Sequence, residues 1–95
     1  MRLGSLLEEL ESRILDATGA LAAFVSEINS STAELRLRFF SVMDLGTLLR
    51  SLTNLRTILR SYGLAARKPR LEAVHDMLEL VVEVIPAKAT DLNYM

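Results

Sequence analysis

Apolar residues recur along this chain at steps of three and four, and that spacing constrains the fold more than any other feature. Leu3, Leu7, Leu10, Ile14, Ala17, Leu21, Phe24 and Ile28 keep one seam through residues 3–28. This is the a/d spacing by which one helix faces another. It predicts a first helix there, with Gly19 on its outer face. The stretch NSSTAE at 29–34 reads as a junction. Asn29 suits a helix C-terminus, and Ser31 followed by Glu34 has the form of a capping box opening the next helix. So short a connection predicts antiparallel neighbours.

A second helix is expected to run to about Tyr62, with Gly63 as its stop. Its later half has the seam Leu45, Leu48, Leu52, Leu55, Leu59 and Tyr62, whereas its earlier half uses Leu35, Phe39, Val42 and Leu49. The phase changes at MDLG, residues 43–46, which predicts a bend or break near Asp44–Gly46, where an interior glycine costs about 1 kcal/mol relative to alanine. Pro69 is acceptable in the first turn of a third helix. Leu71, Val74, Leu78, Val81 and Ile85 give that helix its seam, widened by Met77, Leu80, Val82 and Val84. The run LELVVEVI is also compatible with a buried strand, but the unbroken spacing from Leu71 favours helix. The expected fold is therefore all-α. It is an antiparallel three-helix, coiled-coil-like bundle, with four helices if the second breaks near Gly46. The helices cover about 3–28, 32–62 and 69–85 of one domain, residues 1–86, and residues 87–95 form a tail.

A chain of 95 residues with 51% hydrophobic content and a mean hydropathy of +0.29 offers more apolar surface than a lone small bundle hides. A homo-oligomer is the expected partner state. Its interface is expected on the third helix, at Leu71, Val74, Leu78, Val81, Val82 and Ile85. With no cysteine in the sequence, disulfides, thiolate chemistry and Cys-based zinc sites are excluded. The N-terminus lacks the apolar core of a signal peptide, and LELVVEVI is too short and too charged to cross a bilayer. The expectation is a soluble, cytoplasmic protein without a membrane partner.

A net charge of −1 conceals three segments. Residues 1–34 hold two arginines against six carboxylates, residues 35–70 eight cations against Asp44 alone, and residues 71–95 Lys88 against five carboxylates. In the middle segment Arg50, Arg56, Arg60, Arg67, Lys68 and Arg70 could contact phosphate or an acidic partner. The favoured expectation is that they pair with Glu8, Glu9, Glu11, Glu72, Glu79 and Glu83 in the manner of e/g charges, which select register more than they stabilise. No aromatic residue is interleaved with the arginines for base stacking. The carboxylates at Glu72, Asp76, Glu79 and Glu83 recur at steps of three and four and read as a solvated face.

The stretch RLEAVH, from Arg70 to the single histidine His75, resembles the R-x4-H motif of the HEPN ribonucleases over six residues. The resemblance implies a helical dimer in which His75 would serve acid–base catalysis and Arg70 would stabilise phosphate charge. There is no H-E-x-x-H, glycine-rich phosphate loop or G-x-S-x-G, and no metal, cofactor or small-molecule substrate is expected. The leading expectation is a non-enzymatic oligomer that works by protein–protein interaction, of adaptor, assembly, inhibitor or chaperone type. A nucleic-acid-binding oligomer and a HEPN-like ribonuclease are the alternatives.

Overall fold

Residues 32–40, TAELRLRFF, alternate strictly: Ala33, Leu35, Leu37 and Phe39 are buried, while Glu34, Arg36 and Arg38 are half-buried on the opposite side. A period of two belongs to a strand. The computed structural model, which describes residues 2–87, places this segment in the interior of a sheet. The chain runs α1 (Leu3–Glu9), α2 (Glu11–Thr18), β1 (Ala22–Asn29), β2 (Thr32–Phe40), α3 (Leu45–Arg60), β3 (Leu64–Val74) and β4 (Met77–Pro86). The strands form one four-stranded antiparallel sheet in the order β1-β2-β4-β3. The all-α reading is thereby corrected. The chain is a mixed α/β fold, neither a helical bundle nor a coiled coil.

The single helix expected over 3–28 is instead two short helices, α1 and α2, divided at Leu10 and ending at Thr18. Leu3, Leu7, Leu10 and Ile14 are all buried in the core, as their seam requires. Gly19 then takes a left-handed φ of 73° and donates its N–H to the Leu15 carbonyl at 2.9 Å, which ends the helix. Beyond it the seam fails: Leu21, Phe24 and Ile28 are exposed on or beside β1. The junction at NSST is a hairpin turn, with Asn29 paired to Thr32. The Asn29 side-chain oxygen accepts hydrogen bonds from the Ser31 N–H at 2.9 Å and from the Ser31 hydroxyl at 3.1 Å. Asn and Ser serve turns as readily as helix ends, and the alternation on both sides decides for the turn.

The phase change at MDLG is a strand-to-helix transition and not a bend within one helix. Asp44 is the N-cap of α3, accepting the Thr47 N–H at 2.8 Å. That hydrogen bond holds its carboxyl below the usual carboxylate range. Leu48, Leu52, Leu55 and Leu59 of the expected seam are buried, while Leu45 is 63% exposed. The third expected helix is instead the β3–β4 hairpin, with Val74 paired to Met77. His75, at φ 56°, occupies its turn. Pro69 sits in the edge strand β3 at an irregularity between Arg67 and Arg70, where a missing N–H is tolerated. The three helices and the alternate residues Leu35, Leu37, Phe39, Leu80, Val82 and Val84 share one core on a single face of the sheet. The expected tail lies, Ala87 apart, outside the described residues.

Two adjacent phenylalanines test this alternation. Phe39 is 1% exposed and Phe40 57% exposed. Phe39→Ala is expected to lower unfolding free energy by about 3–5 kcal/mol and Phe40→Ala by about 0.5 kcal/mol or less, read from urea denaturation.

Candidate functional site

The sheet has two unlike surfaces outside its core, and the strand registers explain both. On the face away from the helices, Arg38 lies opposite Glu79, Glu79 opposite Glu72, and Arg67 opposite Glu83. The basic middle segment and the acidic last segment thus meet as neighbouring strands. Arg36 donates to Glu34 at 2.9 Å and to Glu72 and Glu79 at 3.1 Å each. Arg38 Nη2 donates to Glu79 at 2.7 Å, Arg70 Nε to Glu72 at 2.6 Å and Arg67 Nε to Glu83 at 2.6 Å. The Arg38 guanidinium also covers the Phe24 ring, 4.6 Å from its centroid.

Glu79 is the centre of this lattice and is only 2% exposed. Burial pushes its carboxyl up, but hydrogen bonds from Arg38 and Arg36 outweigh burial and hold it below the usual range. The Glu72 carboxyl is lowered too, first by Arg70 and then by Arg36. Both carboxyls are thus held on the ionised side and fix the arginines around them. No group of three or more His, Cys, Asp or Glu side chains among the described residues is arranged to hold a metal.

The second surface is apolar. Leu45, Leu48, Leu49 and Leu52 of α3 and Pro69, Arg70 and Leu71 of β3 line an open groove of about 260 Å³. Leu45, Leu49 and Leu71 are 63%, 55% and 45% exposed. Among the described residues β3 is paired along one side only, to β4, so within them its outer edge presents unpaired backbone groups. That edge is regular from Arg70 to Val74. Before Arg70 it is interrupted by the bulge and by Lys68 at φ 54°.

The residues singled out from sequence are distributed between these surfaces. Of the expected interface residues, Leu71 lines the groove; Val74, Leu78 and Ile85 are half-buried, and Val81 and Val82 are fully buried within the chain itself. Arg67 and Arg70 are held by glutamates, and Lys68 lies 4.0 Å from Glu83. Arg50 is exposed on α3, whereas Arg56 and Arg60 are half-buried. Arg60 Nε is buried without a hydrogen-bond partner among the described residues. The motif residues Arg70 and His75 lie on a strand and in an exposed turn, not on the helix that the HEPN resemblance implied. Leu45 and Leu49 were missed as surface residues because helical spacing put both on seams. The phase change at MDLG was the available signal, since a seam that changes register leaves some of its leucines uncovered.

No protein-family model matches this chain, and comparison with curated proteins and with solved structures finds no match. The functional reading therefore rests on these two surfaces.

The lattice has a pH signature. A carboxyl whose folded pKa is depressed adds stability that is complete above the ordinary carboxylate range and is lost as pH falls through the lower folded value. Urea midpoints are therefore expected to fall on acidification below roughly pH 5. Glu79→Gln, which removes one depressed group, should make that fall shallower than in the wild type.

Proposed function

We propose that this chain is a non-enzymatic protein-interaction module whose docking face combines the α3–β3 groove with the free edge of β3. The observation that supports this most is the coincidence of the two. Three exposed leucines from a helix and a strand flank an edge whose backbone can extend the sheet. An apolar floor beside an unpaired strand is what strand addition uses: the ladder gives alignment and pockets for alternate side chains give selectivity. The opposite face contributes rigidity, because its charges are already satisfied internally.

A nucleic-acid reading draws on Arg50 and Arg56, which have no carboxylate partner among the described residues. It is weaker because Arg67 and Arg70, at the end of the same basic run, are engaged by glutamates. The ribonuclease reading gains no support from a histidine in a hairpin turn and an arginine held by Glu72 and Glu34.

A photoreactive amino acid at position 49 tests the proposal in cells expressing the full chain. Adducts to polypeptide, of any identity, at position 49 and not at Glu9 are expected. Adducts confined to nucleic acid, or none above the Glu9 control, would overturn it. In parallel, labelled RNA and DNA titrated at low salt are expected to show no binding tighter than the non-specific range of about 1–100 µM.

A further inference from the structure

The groove beside β3 has an occupant that the chain's own charges select. Building on the interaction reading above, we infer that a second copy of this chain docks there. Its β3 runs antiparallel to the first about a two-fold axis at Leu71, joining two four-stranded sheets into one of eight strands.

The register decides it. When an edge strand pairs with its own copy about a two-fold axis, the residue on the axis faces itself and its neighbours face one another in exchange. With the axis at Leu71, Arg70 lies opposite Glu72 of the second copy, and Glu72 opposite its Arg70. Cross-strand pairs of opposite charge are favourable. Moving the axis to Glu72 sets two glutamates face to face; moving it to Arg70 does the same with two arginines. A slip of half a step places the apolar side of one strand on the charged side of the other, which the two-residue period forbids. Of the axes at Arg70, Leu71 and Glu72, only that at Leu71 sets unlike charges opposite one another, and it pairs Arg70–Glu72 with its copy while Ala73 and Val74 reach the irregular Pro69 and Lys68.

That axis also accounts for the exposed leucines. Leu71 is on the helix side of β3, where it lines the groove with Leu45 and Leu49. In the paired form it meets its counterpart there, beneath Leu45 and Leu49 of both α3 helices. The ladder is short, because Lys68 and Pro69 interrupt the edge before Arg70. The leucines on the helix side therefore carry the affinity and the Arg70–Glu72 pairs fix the alignment. Arg70 and Glu72 already pair within each chain at 2.6 Å, so across the axis the two pairs meet as a cluster of four charges of alternating sign. The other sheet edge, β1, has Glu27 as its only charged residue, and that glutamate is engaged by Arg2 at 2.9 Å. It offers no matching pair of opposite charges.

The chain contains no cysteine, so a single introduced thiol reports contact across an axis without interference. Sedimentation velocity over a concentration series is expected to show the wild type as a dimer. Leu49→Arg should raise its dissociation constant by at least about tenfold while leaving the far-UV spectrum unchanged, because Leu49 is already exposed. Leu71→Cys should oxidise to a covalent dimer much faster than Phe24→Cys on β1 or Ala73→Cys, whose opposite number is Pro69. Arg70→Glu should weaken the dimer, and the double exchange Arg70→Glu with Glu72→Arg should restore it. A monomeric wild type that still forms polypeptide photoadducts at position 49 would overturn self-pairing while sparing the interaction reading. A dimer in which Leu71→Cys oxidises no faster than Phe24→Cys would overturn this face as the interface.

Discussion

The pairing of β2 with β4, the two strands hydrogen-bonded along both edges, organises the sheet, and the alternation of β2 permits only one arrangement of its two sides. Leu35, Leu37 and Phe39 need a cover of apolar side chains, which α1, α2 and α3 supply. Arg36 and Arg38, on the other side, cannot be covered by a second apolar layer without large desolvation cost. They need carboxylates at the height of the sheet, and β4 places Glu79 directly opposite Arg38. The acidic, basic, acidic order of the segments thus resolves as a strand order. The basic strand β2 lies next to β4, whose outward residues include two glutamates, with β3 beyond supplying both signs.

Glu79 shows how local and long-range effects are weighed in this fold. A buried carboxylate alone would be costly, and neutralisation by protonation would be the usual escape. Two guanidinium groups, from residues 43 and 41 positions away, instead keep it charged. Each of those arginines is about one-third exposed, so water solvates part of the cluster and tempers both its cost and its strength. Its main consequence is specificity: a shift of β4 by one residue along β2 would bury Glu79 in the leucine core and turn Leu80 and Leu78 outward.

Helical spacing was legible where helices exist and misleading where apolar residues happened to fall three and four apart in strands. Leu3, Leu7, Leu10 and Ile14, and again Leu48, Leu52, Leu55 and Leu59, are core residues of real helices. The seam from Leu71 to Ile85 arises from two strands joined by a two-residue turn, and β-branched Val81, Val82 and Val84 were the competing signal. In β2 the alternation of Leu35, Leu37 and Phe39 with Glu34, Arg36 and Arg38 was plainly present. It was masked because Leu35, Phe39 and Val42 also fit a helical step. Charge segmentation was legible in the sequence but not its geometry: Arg67 and Arg70 meet Glu83 and Glu72 on a sheet face, which helical spacing could not show. The apolar surplus was also visible, although its location was not. Leu45 and Leu49 are exposed only because α3 begins at the phase change, a fact that depends on where Asp44 caps the helix.

The two edges of the sheet are protected to different degrees, and that asymmetry ties fold to function. β1 is tied at a few points, where Arg2 engages Glu27, the Arg38 guanidinium lies on Phe24, and the Leu3 N–H donates to the Ser30 carbonyl at 3.2 Å, while Phe24 and Ile28 stay exposed. β3 has a device of the kind that discourages open-ended pairing, with a bulge, Pro69 and the lysine Lys68 concentrated before Arg70. Those features blunt one part of the edge and leave the five residues from Arg70 to Val74 regular, directly beside the exposed leucines. An edge blunted throughout would resist all association, and one left open throughout would invite indefinite stacking. A short open segment bounded by a bulge on one side and a hairpin turn on the other limits an incoming strand in length and register. Together with the leucines above it, that limit is what separates selective association from aggregation in so small a domain.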